Sequence, residues 1–163
     1  MKRTLCMMLA LVSLLFCFAA CGDKEKESEK LFAFKKDAVE IAIDADAAPI
    51  LAALGTYQAY DATPSCAFAG EDKVYVYSGF KLQTYQKKAG GPDFVHSVIL
   101  TDDTYATAEG IAVGAEAARV LEVYGTPDEK TDARISYSTR RETLLFLTRD
   151  GRVTSIQYLK PEA

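Results

Sequence analysis

Ile41-Ala-Ile-Asp-Ala-Asp-Ala-Ala-Pro-Ile-Leu-Ala-Ala-Leu-Gly55 aligns without gaps on Ile111-Ala-Val-Gly-Ala-Glu-Ala-Ala-Arg-Val-Leu-Glu-Val-Tyr-Gly125. Seven of the fifteen positions are identical: Ile41, Ala42, Ala45, Ala47, Ala48, Leu51 and Gly55. Ile43/Val113, Asp46/Glu116 and Ile50/Val120 keep their character. An internal repeat of this kind sets the plan of a chain before any single motif does. Each copy reads as a short apolar strand-like lead, a turn, one short helix, and a glycine where a helix C-cap belongs. Asp46 is placed to cap the first helix, and Pro49 falls in its first turn, where a missing N–H costs nothing. Ile50, Leu51 and Leu54 form one apolar stripe; Val120, Leu121 and Tyr124 form the other, and both are the core-facing side of a helix.

Strand signals follow each helix. Lys73-Val-Tyr-Val-Tyr77 alternates, Ser78-Gly79 turns, and Phe80-Lys-Leu-Gln-Thr-Tyr85 alternates again. Gly90-Gly91-Pro92 makes the next turn before Phe94–Leu100. In the second copy Arg134–Ser138 precedes Thr143–Thr148, and Asp150-Gly151 is a tight hairpin signal before Val153–Tyr158. Leu31-Phe32-Ala33-Phe34 reads as an added edge strand, and Thr101–Gly110 joins the copies. The fold expected is α+β: two tandem αβββ repeats, about 31–103 and 104–160. They form an antiparallel sheet with one short helix per repeat packed on one face.

Ahead of this domain, Met1-Lys2-Arg3 is basic, Leu5–Phe18 is nearly all apolar, and Ala19-Ala20 precede Cys21. That is the secretory pattern, and the apolar run is short of the ~20 residues a permanent spanning helix needs. Phe18-Ala19-Ala20-Cys21 resembles the lipobox of bacterial lipoproteins, with Phe18 where Leu is usual. The resemblance implies that residues 1–20 are a lipoprotein signal peptide and that Cys21 is acylated, a membrane contact stable once two chains are attached. The alternatives are an uncleaved anchor, or an ordinary secretory leader with Cys21 a free thiol. Gly22–Lys30 has no apolar residue to bury and reads, with Cys21, as a charged tether over 21–30.

The net charge is −4 for the whole chain, and near −6, with 17 basic against 23 acidic residues, once Lys2 and Arg3 are gone. An acidic domain does not read as a binder of nucleic acid or anionic lipid. Cys6 and Cys17 leave with the leader and Cys21 is acylated, so Cys66 stays alone, with no disulfide to make. Among small and apolar neighbours it reads as a buried, inert thiol. The one histidine, His96, lies about 30 residues away in a strand.

No phosphate loop, His-Glu-x-x-His motif or Gly-x-Ser-x-Gly elbow is present, and the chain offers no His/Cys metal site. Asp102-Asp103 reads as a turn pair, Asp44 and Asp46 as helix-capping residues, and Arg140-Arg141 as a charged turn. Tyrosine is in mild excess, nine in all, with Tyr57, Tyr60, Tyr75, Tyr77 and Tyr85 close in sequence. Tyr75 and Tyr77 share one strand face. With Val74 and Val76 taken as core, Tyr75, Tyr77 and Tyr85 are expected on the open face as a recognition surface.

Ala45-Asp46-Ala47-Ala48-Pro49-Ile50, Ser65-Cys66-Ala67-Phe68, and Thr107-Ala108-Glu109-Gly110-Ile111 with Tyr124-Gly125 resemble a group of uncharacterised lipoproteins from Clostridia-like bacteria. That resemblance carries no activity. The helix–Gly–hairpin pattern is similar to the beta-lactamase inhibitor protein and to small outer-membrane assembly lipoproteins, which implies protein binding rather than catalysis. The functional expectation is a non-catalytic binding or scaffold lipoprotein of the cell envelope. It is anchored through Cys21 at the outer face of the cell membrane, with a protein partner, no nucleic acid, no metal and no cofactor. The alternatives are a ligand-sensing accessory subunit of an envelope system, or an enzyme with an unrecognised site. The leader reading predicts that Cys21→Ala abolishes metabolic labelling by an alkyne fatty acid, seen by in-gel fluorescence; equal labelling of both forms refutes it.

Overall fold

The computed structural model describes residues 32–161; the leader, Cys21, the tether, Leu31 and the last two residues lie outside the described residues. The molecule is α+β and mostly antiparallel sheet. Helix α1 is Ala47–Leu54 and helix α2 is Ala117–Tyr124. A small hairpin of β1 (Phe34–Lys36) and β2 (Val39–Ile41) stands apart from the main sheet. The main sheet has eight strands. They are β3 (Ala59–Pro64), β4 (Glu71–Tyr77), β5 (Phe80–Gln86), β6 (Asp93–Leu100), β7 (Glu129–Lys130), β8 (Arg134–Ser138), β9 (Thr143–Arg149) and β10 (Arg152–Leu159). Their spatial order is β3-β4-β5-β6-β10-β9-β8-β7, antiparallel throughout.

Two meanders of four strands therefore meet at β6 and β10. Leu100 faces Ile156, Ile99 faces Gln157 and Val98 faces Tyr158 across that seam. Each of these strands is used twice. The first part of β6 pairs with the segment before α1: Asp44 N–H donates to Val95 O at 2.8 Å and Val95 N–H to Ala45 O at 2.9 Å. The first part of β10 does the same before α2, Gly114 to Val153 at 2.7 Å and Val153 to Ala115 at 2.9 Å. A bulge at His96 in β6 and at Thr154 in β10 separates the two uses. Asp44 and Gly114 hold matching left-handed turns, φ 63° and 90°, a conformation that Asp and Gly both tolerate.

The helices end alike. Gly55 and Gly125 sit at φ 75° and 79° and donate to Leu51 O and Leu121 O. They begin differently. Asp46 accepts from Ala48 N–H at 2.9 Å, whereas Glu116 makes no side-chain cap. The core lies on the face where the helices pack. Phe80, Leu82, Val95, Val98, Leu100, Phe146 and Ile156 are sealed there with Phe34 and Val120, and Ile41, Ile50 and Leu54 pack in the same cluster. Asp150 and Gly151 both have positive φ, 53° and 73°, as the two-residue β9–β10 hairpin requires.

Three expectations need correction. Four strands follow each helix rather than three. β3 escaped notice because its side chains are nearly all exposed and show no apolar alternation, and β7 because it is two residues long. The start of the domain is not an edge strand of the main sheet: Phe34–Lys36 pairs only with β2, within a separate hairpin. Cys66 is exposed, not buried: it sits in the turn where Ser65 Oγ accepts from Ala67 N–H, and Phe68 rather than Cys66 packs back on the sheet. The capping difference yields a stability test. Asp46→Ala should lower unfolding free energy by about 1 kcal/mol, and Glu116→Ala by clearly less, in matched urea titrations.

Candidate functional site: a tyrosine cluster at one sheet edge

Register decides where the tyrosines go. Tyr75 lies opposite Leu82, which lies opposite Val98 and then Tyr158. That row is the helix side. Tyr75 and Tyr77 are 8% and 6% exposed and belong to the core. Val74 and Val76 are half-buried on the helix-free face. The expected open-face placement of Tyr75 and Tyr77 is thus reversed. The physical reason is that α1 has eight residues and packs on β2 and β6, so β4 fills its own side of the core with large rings. Valine is too short for that.

The structure brings Tyr75 and Tyr77 together with Tyr57 and Tyr60. Tyr57 stands edge-on to Tyr75 at 5.3 Å and to Tyr77 at 6.5 Å, and Tyr60 leans on Tyr75 at 5.1 Å. Tyr57 and Tyr60 themselves are 43% and 46% exposed. The result is a two-layer stack with buried rings below and open rings above. Burial pushes the Tyr75 phenol up to about 12, and the nearby Asp93 carboxylate adds to this. Burial, then the neighbouring Tyr57, raises Tyr77. Both buried phenols therefore keep their protons at neutral pH.

Tyr85 is not part of this cluster. It lies opposite Asp72, and period two along β5 puts it on the helix-free face, away from Tyr75 and Tyr77. There it is buried under Phe68, stacked at 5.1 Å, and donates to Asp44 at 2.9 Å. Lys160 Nζ sits 5.4 Å over its ring and pairs with Asp44 at 3.0 Å. Burial, then Asp44, raises the Tyr85 phenol, while Lys160 opposes that shift. Tyr85 is a packing and bracing residue, not an open recognition group. Sequence reasoning missed Tyr57, Tyr60 and Phe68 as the exposed aromatics; the absence of any apolar alternation around them was the available signal.

The two meanders treat matching positions differently. Tyr137 lies next to Leu144 as Tyr77 lies next to Phe80, and Tyr137 donates to Gly125 O at 3.0 Å. Thr148 faces Val153 as Thr84 faces Val95, and Thr148 donates to Asp132 O at 2.8 Å. The hydroxyls of Tyr77 and Thr84 have no protein partner, nor has Asp93 Oδ1, whose other oxygen pairs with Lys73 at 3.0 Å. Beside α2 a cavity of about 350 Å³ is lined by Ala117, Ile135, Thr148 and Gly151. The first meander carries the larger Tyr75 at the register position of Ile135.

A second hollow of about 250 Å³ lies between Phe32, Glu109, Tyr124 and Tyr158. Its carboxylates are engaged: Tyr124 donates to Glu109, and Glu40 pairs with Lys35 at 3.0 Å; Phe32 N–H donates to Glu142. Burial first, then Glu109, raises both tyrosines. The Glu142 bond ties the start of the domain to the β8–β9 connection, and an edge-on ring contact ties Phe32 to Tyr124 of α2. Among the described residues no three His, Cys, Asp or Glu side chains converge on a metal position, and no helix is long and apolar enough to cross a membrane.

No family model matches the chain, and no curated protein matches it. Among solved structures it is similar to an extracellular protein containing an SCP domain from Bacillus anthracis. The TM-score is 0.45 at 11% identity, over 83% of this chain and 49% of that one. The chain thus spans about half the length of that protein.

The unequal hydroxyls give a paired test. Tyr137→Phe should cost about 1 kcal/mol by removing a made bond, while Tyr77→Phe should be neutral or stabilising. Equal losses in thermal unfolding would show that Tyr77 has a partner in solution.

Proposed function

We propose that this chain is a lipid-anchored bacterial envelope protein whose domain is a non-catalytic module for binding another protein through the β3 edge. The observation that carries the binding surface is the grouping of exposed aromatics. Tyr57 and Tyr60, at 43% and 46% exposure, stand together on the helix side of the β3 edge, whereas Phe68 lies over Tyr85 on the other face. Tyrosines with one face packed and one open are already ordered, so little side-chain entropy is lost when a partner covers them. The lipobox-like Phe18–Cys21 stretch supports the anchor and the extracytoplasmic location. The likeness to the beta-lactamase inhibitor protein supports binding over catalysis.

The same proposal includes tandem duplication of a helix–four-strand unit. It rests on the seven identities between 41–55 and 111–125 and on the matching hydrogen bonds before each helix. The seam adds to it. If Val95 is matched with Val153, Ile99 falls on Gln157, and these two residues face each other. The flanking pairs, Leu100–Ile156 and Val98–Tyr158, then exchange under a local two-fold.

The test is site-specific photocrosslinking in the native membrane fraction. A photoreactive residue at Tyr60 should give a discrete protein adduct, and one at exposed Ala118 on α2 should not. The double variant Tyr57→Ser, Tyr60→Ser should stay folded, since both rings are nearly half exposed, and lose roughly 2 kcal/mol or more of partner affinity. Equal adducts from both positions would refute the assignment of the surface.

A further inference from the structure

We infer that β3 is a docking edge to which an extended, alternately apolar and basic segment of a partner protein adds as a ninth antiparallel strand. This rests on the reading above, and it names what the tyrosine edge holds. Among the described residues β3 is the last strand on its side of the sheet. Its register and one further bond fix which main-chain groups point outward. Ser65 N–H donates to Gly70 O at 3.0 Å, in the register that pairs Ala59 with Val76 and Thr63 with Asp72. In an antiparallel ladder bonded and non-bonded pairs alternate. Odd-numbered residues therefore exchange bonds with β4, and Tyr60, Ala62 and Pro64 turn theirs to the outside. Pro64 agrees with that phase, because a proline fits an edge strand only where its nitrogen faces away from the ladder.

An open edge of this length is a template for strand addition unless it is blunted. The opposite edge is blunted: β7 has two residues, and Asp128 next to it accepts from Ser138 N–H at 2.7 Å. β3 has six residues, and Pro64 stands only at its end. Side chains then set the partner's chemistry. On the helix side an incoming strand meets Tyr60 and Ala62. On the helix-free side it meets Asp61, with half-buried Asp72 on the neighbouring strand. Apolar residues suit the first side and basic residues the second. A second copy pairing antiparallel through β3 would bring Asp61 and Asp72 of both molecules to one face, where like charges oppose it.

Geometry sharpens the test. In an antiparallel addition the residues that bond Tyr60 and Ala62 carry their side chains on the tyrosine side, so the partner's apolar residues supply the N–H donors. The probe is a fluorescein-labelled capped hexapeptide alternating lysine with valine or tyrosine, titrated by anisotropy against the full chain in detergent micelles. Three results are expected. The peptide binds; N-methylation of its valine and tyrosine nitrogens abolishes binding, while N-methylation of the lysine nitrogens leaves it. Ala62→Pro, which removes one outward N–H and no β4 bond, weakens binding about tenfold or more with little change in melting temperature. Tyr57→Ser with Tyr60→Ser weakens it as well. Binding indifferent to Ala62→Pro and to both methylation patterns overturns strand addition and leaves the tyrosine surface standing. No peptide binding with adducts still formed from Tyr60 does the same. No binding and no adducts overturn both. A dimer in sedimentation that Ala62→Pro dissolves assigns the edge to a second copy and overturns the peptide partner.

Discussion

The structure depends on the antiparallel seam between β6 and β10. Each strand has only its second half in that seam; its first half holds the turn that launches a helix. The bulges at His96 and Thr154 make this double use possible, since an extra residue lets one strand bend from one neighbour to another. A continuous β6 would carry the Asp44–Ala45 segment away from Val95, and α1 would lose the hydrogen bonds that set its position. The sealed residues sit where this arrangement meets. Val98, Leu100 and Ile156 in the seam and Val95 and Val153 beside the helix leads are all at or below 1% exposure. Helix placement, sheet continuity and core closure are consequently one constraint.

Short helices have a consequence for the outer strands. An eight-residue helix is about 12 Å long and cannot roof four strands. In the second meander the shortfall leaves a cavity beside Ile135 and is partly closed by the Thr131–Ala133 turn, which reaches Thr148. The first meander has the buried rings of Tyr75 and Tyr77 on that side of β4. Rings that reach the margin of a core bring hydroxyls with them, and Tyr77 and Thr84 are left without protein partners. Leaving such groups unpaired costs free energy, so the first meander accepts a local penalty that the second avoids. That same substitution of aromatic bulk for helix cover supplies the platform beneath Tyr57 and Tyr60.

How much of this could be read from the sequence varies by element. Helix limits were legible because Asp46, Gly55 and Gly125 act locally, through one turn of backbone. The Ser78-Gly79 and Asp150-Gly151 hairpins were legible for the same reason. The shared face of Tyr75 and Tyr77 was legible from period two, but which face it was could not be. Alternation gives relative orientation only, and the choice between Val and Tyr as core depends on the length of a helix more than 20 residues away. β3 was invisible because an exposed edge strand has no burial to print a pattern, and apolar neighbours are no guide to Cys66, since Phe68 packs on Tyr85 while Cys66 stays exposed. The lipid-anchor reading rests on residues outside those described, and so stays with the sequence.

The asymmetry between the two sheet edges then bears on how such a module could work. Phe32, where the described chain begins, is held to the second half of the domain by Glu142 and by an edge-on contact with Tyr124 at 6.3 Å. Glu142 leads into β9, and β3 lies five strands from β9 in the sheet order, roughly 24 Å at the usual strand spacing. From Cys21 to Phe32 the chain can span at most about 40 Å. On the anchor reading, the tether joins the domain nearer the short, capped edge, and its reach exceeds the distance to the open aromatic edge, which leaves that edge free to turn away from the membrane. A blunted edge near the attachment point and a free edge away from it keep strand pairing available to a partner while limiting it between crowded neighbours on the same surface.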